Sequence, residues 1–196
     1  MATIPGADAL GYWLEYGIDL KNRRISLHRG IATSEEMEDS SQGIEHVLRA
    51  IQFMDSTQGT IELWVSSPGG DICEALAIYD AIRACNNTVQ TVGTGCIASA
   101  AVMILAGGHE RYATPHAWFM SHASSTELAL TLKDAETRIK WEGRLDDQFN
   151  TLMATHSTQS ASWWKQSYKK GEIWWDAADM LENGIIDHIW PEPDDD

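Results

Sequence analysis

Residues 60–108 read TIELWVSSPGGDICEALAIYDAIRACNNTVQTVGTGCIASAAVMILAGG, and this stretch decides the fold. Ile61, Leu63 and Val65 alternate with Thr60, Glu62 and Trp64, the period of two that marks a strand with one buried face. Ser66-Ser67-Pro68-Gly69-Gly70 makes a tight turn. Ile72, Ala75, Leu76, Tyr79 and Ile82 then lie on one face of a helix. Residues 88–92 form a second strand, Gly93-Thr94-Gly95 a second glycine turn, and the Ala-rich segment 97–106 predicts a helix from near Ser99. Strand, glycine turn and helix, repeated, is the alternation of an α/β fold with mainly parallel strands.

Upstream, residues 1–12 read as a loose arm and 25–27 as a short strand. Thr33-Ser34-Glu35-Glu36 fits a capping box at a helix start, with Ile44, Val47, Leu48 and Ile51 beyond it at helical spacing. Downstream, short strands are expected at 111–113 and 118–120, and the longest helix at 130–155. That helix is only partly apolar along Leu132, Ala135, Ile139, Glu142 and Leu145, so one side is exposed or meets a partner. A shorter helix covers 160–169, and another covers 176–182, closed by Asn183-Gly184. Residues 185–189 are the last strand. With no repeat or linker visible, residues 1–196 are read as one domain, and 191–196 as a solvated acidic tail.

Composition narrows the function. A chain of 196 residues buries a sizeable core without metal or disulfide support. A net charge of −15 argues against nucleic acid, whose phosphates it would repel. Nine Trp point to oligomer contacts, where large amphipathic rings concentrate. The three cysteines, Cys73, Cys85 and Cys96, are odd in number and form no CxxC pair, the pattern of reduced residues in a reducing, cytoplasmic compartment. No apolar run reaches the ~18 residues of a membrane span, and no basic segment leads into a signal-like apolar core. His28, His46, His109, His116 and His188 have no ligand spacing, so neither metal nor cofactor is expected.

The two glycine turns aim free backbone N–H groups at a common crevice, where such groups can stabilise an oxyanion. Ser99 sits where a helix dipole favours developing negative charge. Taken alone, a Ser at that place is most often an N-cap, and a glycine turn most often only a turn.

The order of motifs adds a resemblance. Ser66-Ser67-Pro68-Gly69-Gly70-Asp71-Ile72 with Ala77-Ile78-Tyr79-Asp80-Ala81-Ile82 resembles the SPGG and AIYD segments of the ClpP proteases. Gly95-Cys96-Ile97-Ala98-Ser99-Ala100-Ala101 resembles the family's nucleophile segment, and Ala106-Gly107-Gly108 its downstream AAG. Phe119-Met120-Ser121-His122 is similar to the segment bearing the catalytic His, and His156-Ser157-Thr158-Gln159 to HTGQ. Asp176 to Met180, then Asn183-Gly184-Ile185-Ile186-Asp187, resembles the family's closing segment. The matches run in order from about 60 to 190.

The resemblance implies a ClpP/crotonase-like spiral of β-β-α units with a protruding handle helix over 130–155. It implies Ser99 as nucleophile, His122 as base, and the N–H groups of Gly70 and Ala100 as oxyanion hole. The triad acid falls on Glu172 where the family has Asp; Asp176, read as a helix N-cap, is its rival. His156 is assigned a structural role. The implied activity is serine endopeptidase cleavage of peptides or unfolded proteins inside two stacked heptameric rings, with a hexameric ATPase unfoldase as a candidate partner. Departures include Ala100-Ala101 for Met-Gly, Ala123-Ser124 for Gln-Pro and a short N-terminal arm. Two other readings remain open: a non-catalytic ring subunit, and an acyl-CoA enzyme of the crotonase type.

Overall fold

Strand β3 (Ile61–Ser67) buries Ile61, Leu63, Val65 and Ser67 and leaves the residues between them half-exposed. The structure, a computed structural model, describes residues 6–32, 44–123 and 131–191. β3 lies within an eight-stranded sheet ordered β1 (Ile18–Asp19), β2 (Arg24–Leu27), β3, β4 (Val89–Ala98), β5 (Glu110–Ala113) and β8 (His188–Ile189). β6 (Trp118–Ser121) joins β4, and β7 (Ile173–Trp175) joins β6. Every pairing from β2 through β5 to β8, and that of β4 with β6, is parallel; β1–β2 and β6–β7 are antiparallel. The chain therefore has the mixed α/β architecture read from the strand–turn–helix repeat.

Helices α2 (Glu45–Asp55), α3 (Ile72–Arg83) and α4 (Ala101–Ala106) pack their apolar faces into one contiguous core with the strands. All six residues of α4 are buried, so its Ala-rich sequence serves close packing as much as helix propensity. The long helix α5 (Leu132–Thr155) buries only Phe149, Asn150 and Met153, in its last two turns. Leu132 and Ile139 further up are 89% and 61% exposed, so this half of α5 has no packing partner within the described residues.

Three expectations are corrected. Residues 93–95 do not end a strand: β4 continues to Ala98, and its glycines bend it so that Gln90–Gly93 pair with β5 while Cys96–Ala98 pair with β6. Gly95, at φ +61, is the bend, and a Cβ there would sit 2.9 Å from Ser66 Oγ. The helix accordingly begins at Ala101, after Ser99 has taken φ +55. Finally, the supposed loose arm contains helix α1 (Gly6–Tyr16), ended by Gly17 at φ +67. The rings of Tyr12 and Tyr16 meet one turn apart, tilted, with centroids 5.6 Å from each other, and Tyr16 packs on the core. The Thr33 capping box lies outside the described residues.

Part of the tryptophan content lies inside the subunit. Trp164, in α6 (Ala161–Ser167), is fully buried among the rings of Phe119, Trp163, Tyr168 and Trp175. Trp13, Trp118, Trp141 and Trp174 remain exposed.

His156, at the end of α5, ties three elements together. Its Nε2 lies 2.7 Å from the Tyr79 hydroxyl, and its carbonyl accepts from Arg111, whose guanidinium also clasps Asp187. Burial, then Arg111 and Arg83, lowers its pKa from 6.5 to about 4. A base whose folded pKa is depressed takes up protons on unfolding, so stability falls as pH drops from 6.5 towards 4. With the ring half-buried, the loss attributable to His156 is about 1–2 kcal/mol. Asp187, held below the usual carboxylate range by Arg111 despite its burial, adds a loss in the same direction at lower pH. Urea midpoints at pH 7 and pH 5 are expected to converge in His156→Gln relative to wild type; an unchanged gap would count against this assignment.

Candidate active site

The carboxyl ends of parallel strands are where α/β sheets present reactive groups, and here β4 and β6 end side by side. Their register pairs Ala98 with Met120, so the next residue of β4 is Ser99 and His122 comes directly after the last residue of β6. The Ser99 N–H continues the ladder by donating to the Met120 carbonyl at 2.8 Å. Its φ of +55 then turns the chain sharply into α4. A left-handed serine costs roughly 1 kcal/mol and persists where the surroundings over-determine it. The result is a side chain lifted out of the sheet end, with Ser99 Oγ 2.9 Å from His122 Nε2.

The turn after β3 is built against this serine. Gly69, at φ +90, lies so close that a Cβ would be 2.6 Å from both Ser99 Cβ and the Ala98 carbonyl. Gly70, at φ +146, would drive a Cβ into the Ile31 carbonyl. Ile31 locks the turn by donating to the Gly69 carbonyl and accepting from the Asp71 N–H, both at 2.8 Å. Ser67 Oγ accepts from the Gly69 N–H, and the Asp71 carboxylate caps α3 by accepting from the N–H groups of Cys73 and Glu74. Gly70 and Ala100 flank Ser99 on the wall of one cavity of about 700 Å³. The opposite wall is α5, through Arg138, Trp141, Glu142, Leu145 and Phe149.

Glu172 and Asp176 separate cleanly. Asp176 is the N-cap of α7 (Ala177–Glu182): its carboxylate accepts from the Asp179 N–H at 2.9 Å, and Asp179 returns the bond, a full capping box. Glu172 precedes β7, whose ladder pairs Ser121 with Ile173, so one more step would set Glu172 opposite His122. Its carboxylate instead accepts from the Trp174 indole N–H at 2.9 Å, and no carboxylate among the described residues hydrogen-bonds His122. The structure thus brings Ser99, His122, Gly70 and Ala100 together, and sets Glu172 close in register but turned to another partner.

Two site residues escaped the sequence. The Tyr168 hydroxyl lies 2.9 Å from Ser121 Oγ across 47 residues of sequence, its phenol pushed up by burial and so held neutral. Asn150 is buried in α5 on the cavity wall. Neither belongs to a local motif; the packing of α5 against α6, and of the turn after α6 against β6, brings them in. Among the described residues no cluster of three or more His, Cys, Asp or Glu could hold a metal ion. None of their helices is long and apolar enough to cross a membrane.

Sheet, strand-end serine and paired histidine define an α/β protein with a Ser–His contact in a cleft. The Clp protease family model matches residues 16–193. The ATP-dependent Clp protease proteolytic subunit 2 of Nocardia farcinica is 31% identical over 131 residues, covering 66% of this chain and 64% of that protein. Subunit 2 of Tropheryma whipplei is 30% identical over 142 residues, 70% of this chain and 77% of that protein. Subunit 1 of Thermobifida fusca is 29% identical over 182 residues, with 90% and 81% covered. The chain spans a little under two thirds of the length of the Nocardia relative. It belongs to the Clp protease family.

Proposed function

We propose that this chain is a serine endopeptidase that cleaves peptides and unfolded proteins. The observation that carries the reading is the 2.9 Å contact between Ser99 Oγ and His122 Nε2, with Ser99 raised on a left-handed turn. In this reading Ser99 Oγ attacks the scissile carbonyl while His122 takes its proton. The N–H groups of Gly70 and Ala100 stabilise the oxyanion. His122 then protonates the leaving amine, and water, activated by the same His, releases the acyl group. Glu172 is the acid, its carboxylate swinging from Trp174 to His122 to hold the tautomer. No step calls for a metal or cofactor. Labelling by a fluorophosphonate, located by peptide mapping, tests the reading: adduct at Ser99 supports it, and no adduct in folded protein sinks it. The same result separates it from an inactive ring subunit and from a crotonase-type acyl-CoA enzyme, neither of which activates Ser99.

The working form in this proposal is two stacked heptameric rings, with peptides entering a closed chamber. Support comes from the relatives' name, proteolytic subunit of an ATP-dependent protease, and from the exposed Leu132, Ile139 and Trp141 on α5. An isolated subunit would leave these apolar groups in water. Three unpaired cysteines agree with a reducing, cytoplasmic setting, and a hexameric ATPase unfoldase is the proposed partner for folded substrates. Light scattering at micromolar concentration is expected to return a mass many times that of one chain. A monomer would overturn the ring assembly. The high net charge makes the assembly weaker at low salt, where like charges are least screened.

A further inference from the structure

Ser121 holds both ends of the loop that carries Glu172. At one end it pairs with Ile173 in the antiparallel ladder of β6 with β7. At the other its Oγ lies 2.9 Å from the Tyr168 hydroxyl, at the start of the short turn Tyr168–Lys170. Residues 169–172, between the two anchors, are all exposed, and Gly171 turns the chain there at φ +127. His122 is the next residue after Ser121. The loop that bears the acid and the strand that bears the base are thus tied together at one residue.

The tie is polar in surroundings that are apolar. Ser121 is fully buried, and the Tyr168 ring sits against Phe149 and Trp164, with centroids 6.3 Å away in each case. Burial pushes the phenol up, so the hydroxyl keeps its proton. The other two buried hydroxyls among the described residues, on Ser67 and Thr91, serve backbone groups, the Gly69 N–H and the Leu105 carbonyl. Ser121 instead meets a side chain 47 residues away. An apolar pair of the same shape would hold the fold about as well. What two hydroxyls add is direction: a hydrogen bond fixes distance and angle, where apolar contact alone lets a loop slide.

The geometry points to Tyr168 as a positioning residue for the acid: through Ser121 it holds the loop 169–172 so that the Glu172 carboxylate stays within reach of His122. The assignment rests on the serine-peptidase reading with Glu172 as the acid. Tyr168 touches no reacting atom in it. Its hydroxyl sets where the loop starts, the Ser121–Ile173 pair sets where the loop ends, and the exposed residues between have no other anchor among the described residues than the Trp174 indole on Glu172.

The test uses the full chain in its native assembly and one unstructured fluorogenic peptide, with kcat expressed per Ser99 titrated by a fluorophosphonate. Tyr168→Phe is expected to lower kcat about 10–100-fold with KM little changed, the range that a misplacement of about 1 Å costs. That variant also leaves the Ser121 hydroxyl buried and open, which costs stability, so the double variant Ser121→Ala/Tyr168→Phe removes both hydroxyls. The double variant is expected to regain the urea midpoint of wild type and keep the low kcat. Because Tyr168 acts through Glu172, adding Tyr168→Phe to Glu172→Gln is expected to lower kcat by no more than about twofold further, a non-additivity that a merely structural role would not produce. Wild-type kcat in the double variant, or full additivity with Glu172→Gln, would overturn the inference and leave the peptidase reading standing. So would undiminished kcat in Glu172→Gln, which leaves Tyr168 no acid to place. Failure of Ser99 to label in folded wild type, with no peptide cleaved, would overturn the peptidase reading and this inference with it.

Discussion

Ser99→Ala is expected to reduce peptide cleavage by about 10⁴-fold or more, because without the hydroxyl no acyl-enzyme forms and only oxyanion stabilisation and binding remain. The fold should be kept. The change removes one oxygen whose hydrogen bond is to His122, so about 1 kcal/mol or less is at stake. The backbone that makes the turn, from the Ser99 N–H on the Met120 carbonyl to the Gly69 approach, does not involve the hydroxyl. Alanine at φ +55 is strained to a degree similar to serine there. The measurement is kcat/KM on an unstructured peptide, with circular dichroism and light scattering as controls for fold and assembly. Activity near that of wild type in clean protein would remove Ser99 from the nucleophile's role, and with it the Ser99–His122 contact as the basis of the proposed function.

How far the sequence reached depends on the range of each signal. Ile61, Leu63 and Val65 announce β3 because a period of two needs only neighbouring residues, and the Asp176 capping box needs only three residues of separation. Ser99 and His122 stand out by motif order, and β4 with β6 then bring them within hydrogen-bond reach. Gly93 and Gly95 misled because a glycine marks a bend within a strand as well as a turn after it; which one holds depends on the two partner strands, β5 and β6, that β4 serves in succession. β7 is three residues long, too short for periodicity, and of its two Trp residues Trp175 is held by the ring cluster around Trp164 while Trp174 stays exposed. Helix α1 was hidden by its own Gly6 and Gly11 and is supported by Tyr16 on the core, a contact no local pattern encodes. Asn150 reads in sequence as one more polar residue of a mixed helix. Only the burial of the last turns of α5 distinguishes it from the exposed Asp147 and Gln148 on the same helix.

The acid is the site member on which a single pair of variants decides most. A triad acid orients the imidazole by accepting from Nδ1 and stabilises the imidazolium formed as the serine proton leaves. Two carboxylates compete. Asp176 has its Oδ1 committed to the Asp179 N–H at the start of α7, and turning the carboxylate to His122 would open the capping box. Among the described residues Glu172 is held only by the exposed Trp174 indole, and the β6–β7 register sets it one step beyond the Ser121–Ile173 pair, abreast of His122. The extra methylene of Glu over Asp gives reach for that short swing. Glu172→Gln is therefore expected to lower kcat by about 10²–10⁴-fold with KM little changed, since the amide favours the wrong tautomer without altering the binding cleft. Asp176→Asn should leave kcat close to wild type and cost about 1 kcal/mol or less, because Asn caps helices nearly as well as Asp. Trp174→Phe supplies the internal check: it frees the Glu172 carboxylate and should hold or raise kcat, whereas a fall would mean that the indole contact is part of the working geometry. The opposite pattern in the first two variants would give the role to Asp176. If both kept their activity, the enzyme would run on Ser99 and His122 alone, and His122 would have to find its orientation from the close of β6 rather than from a carboxylate.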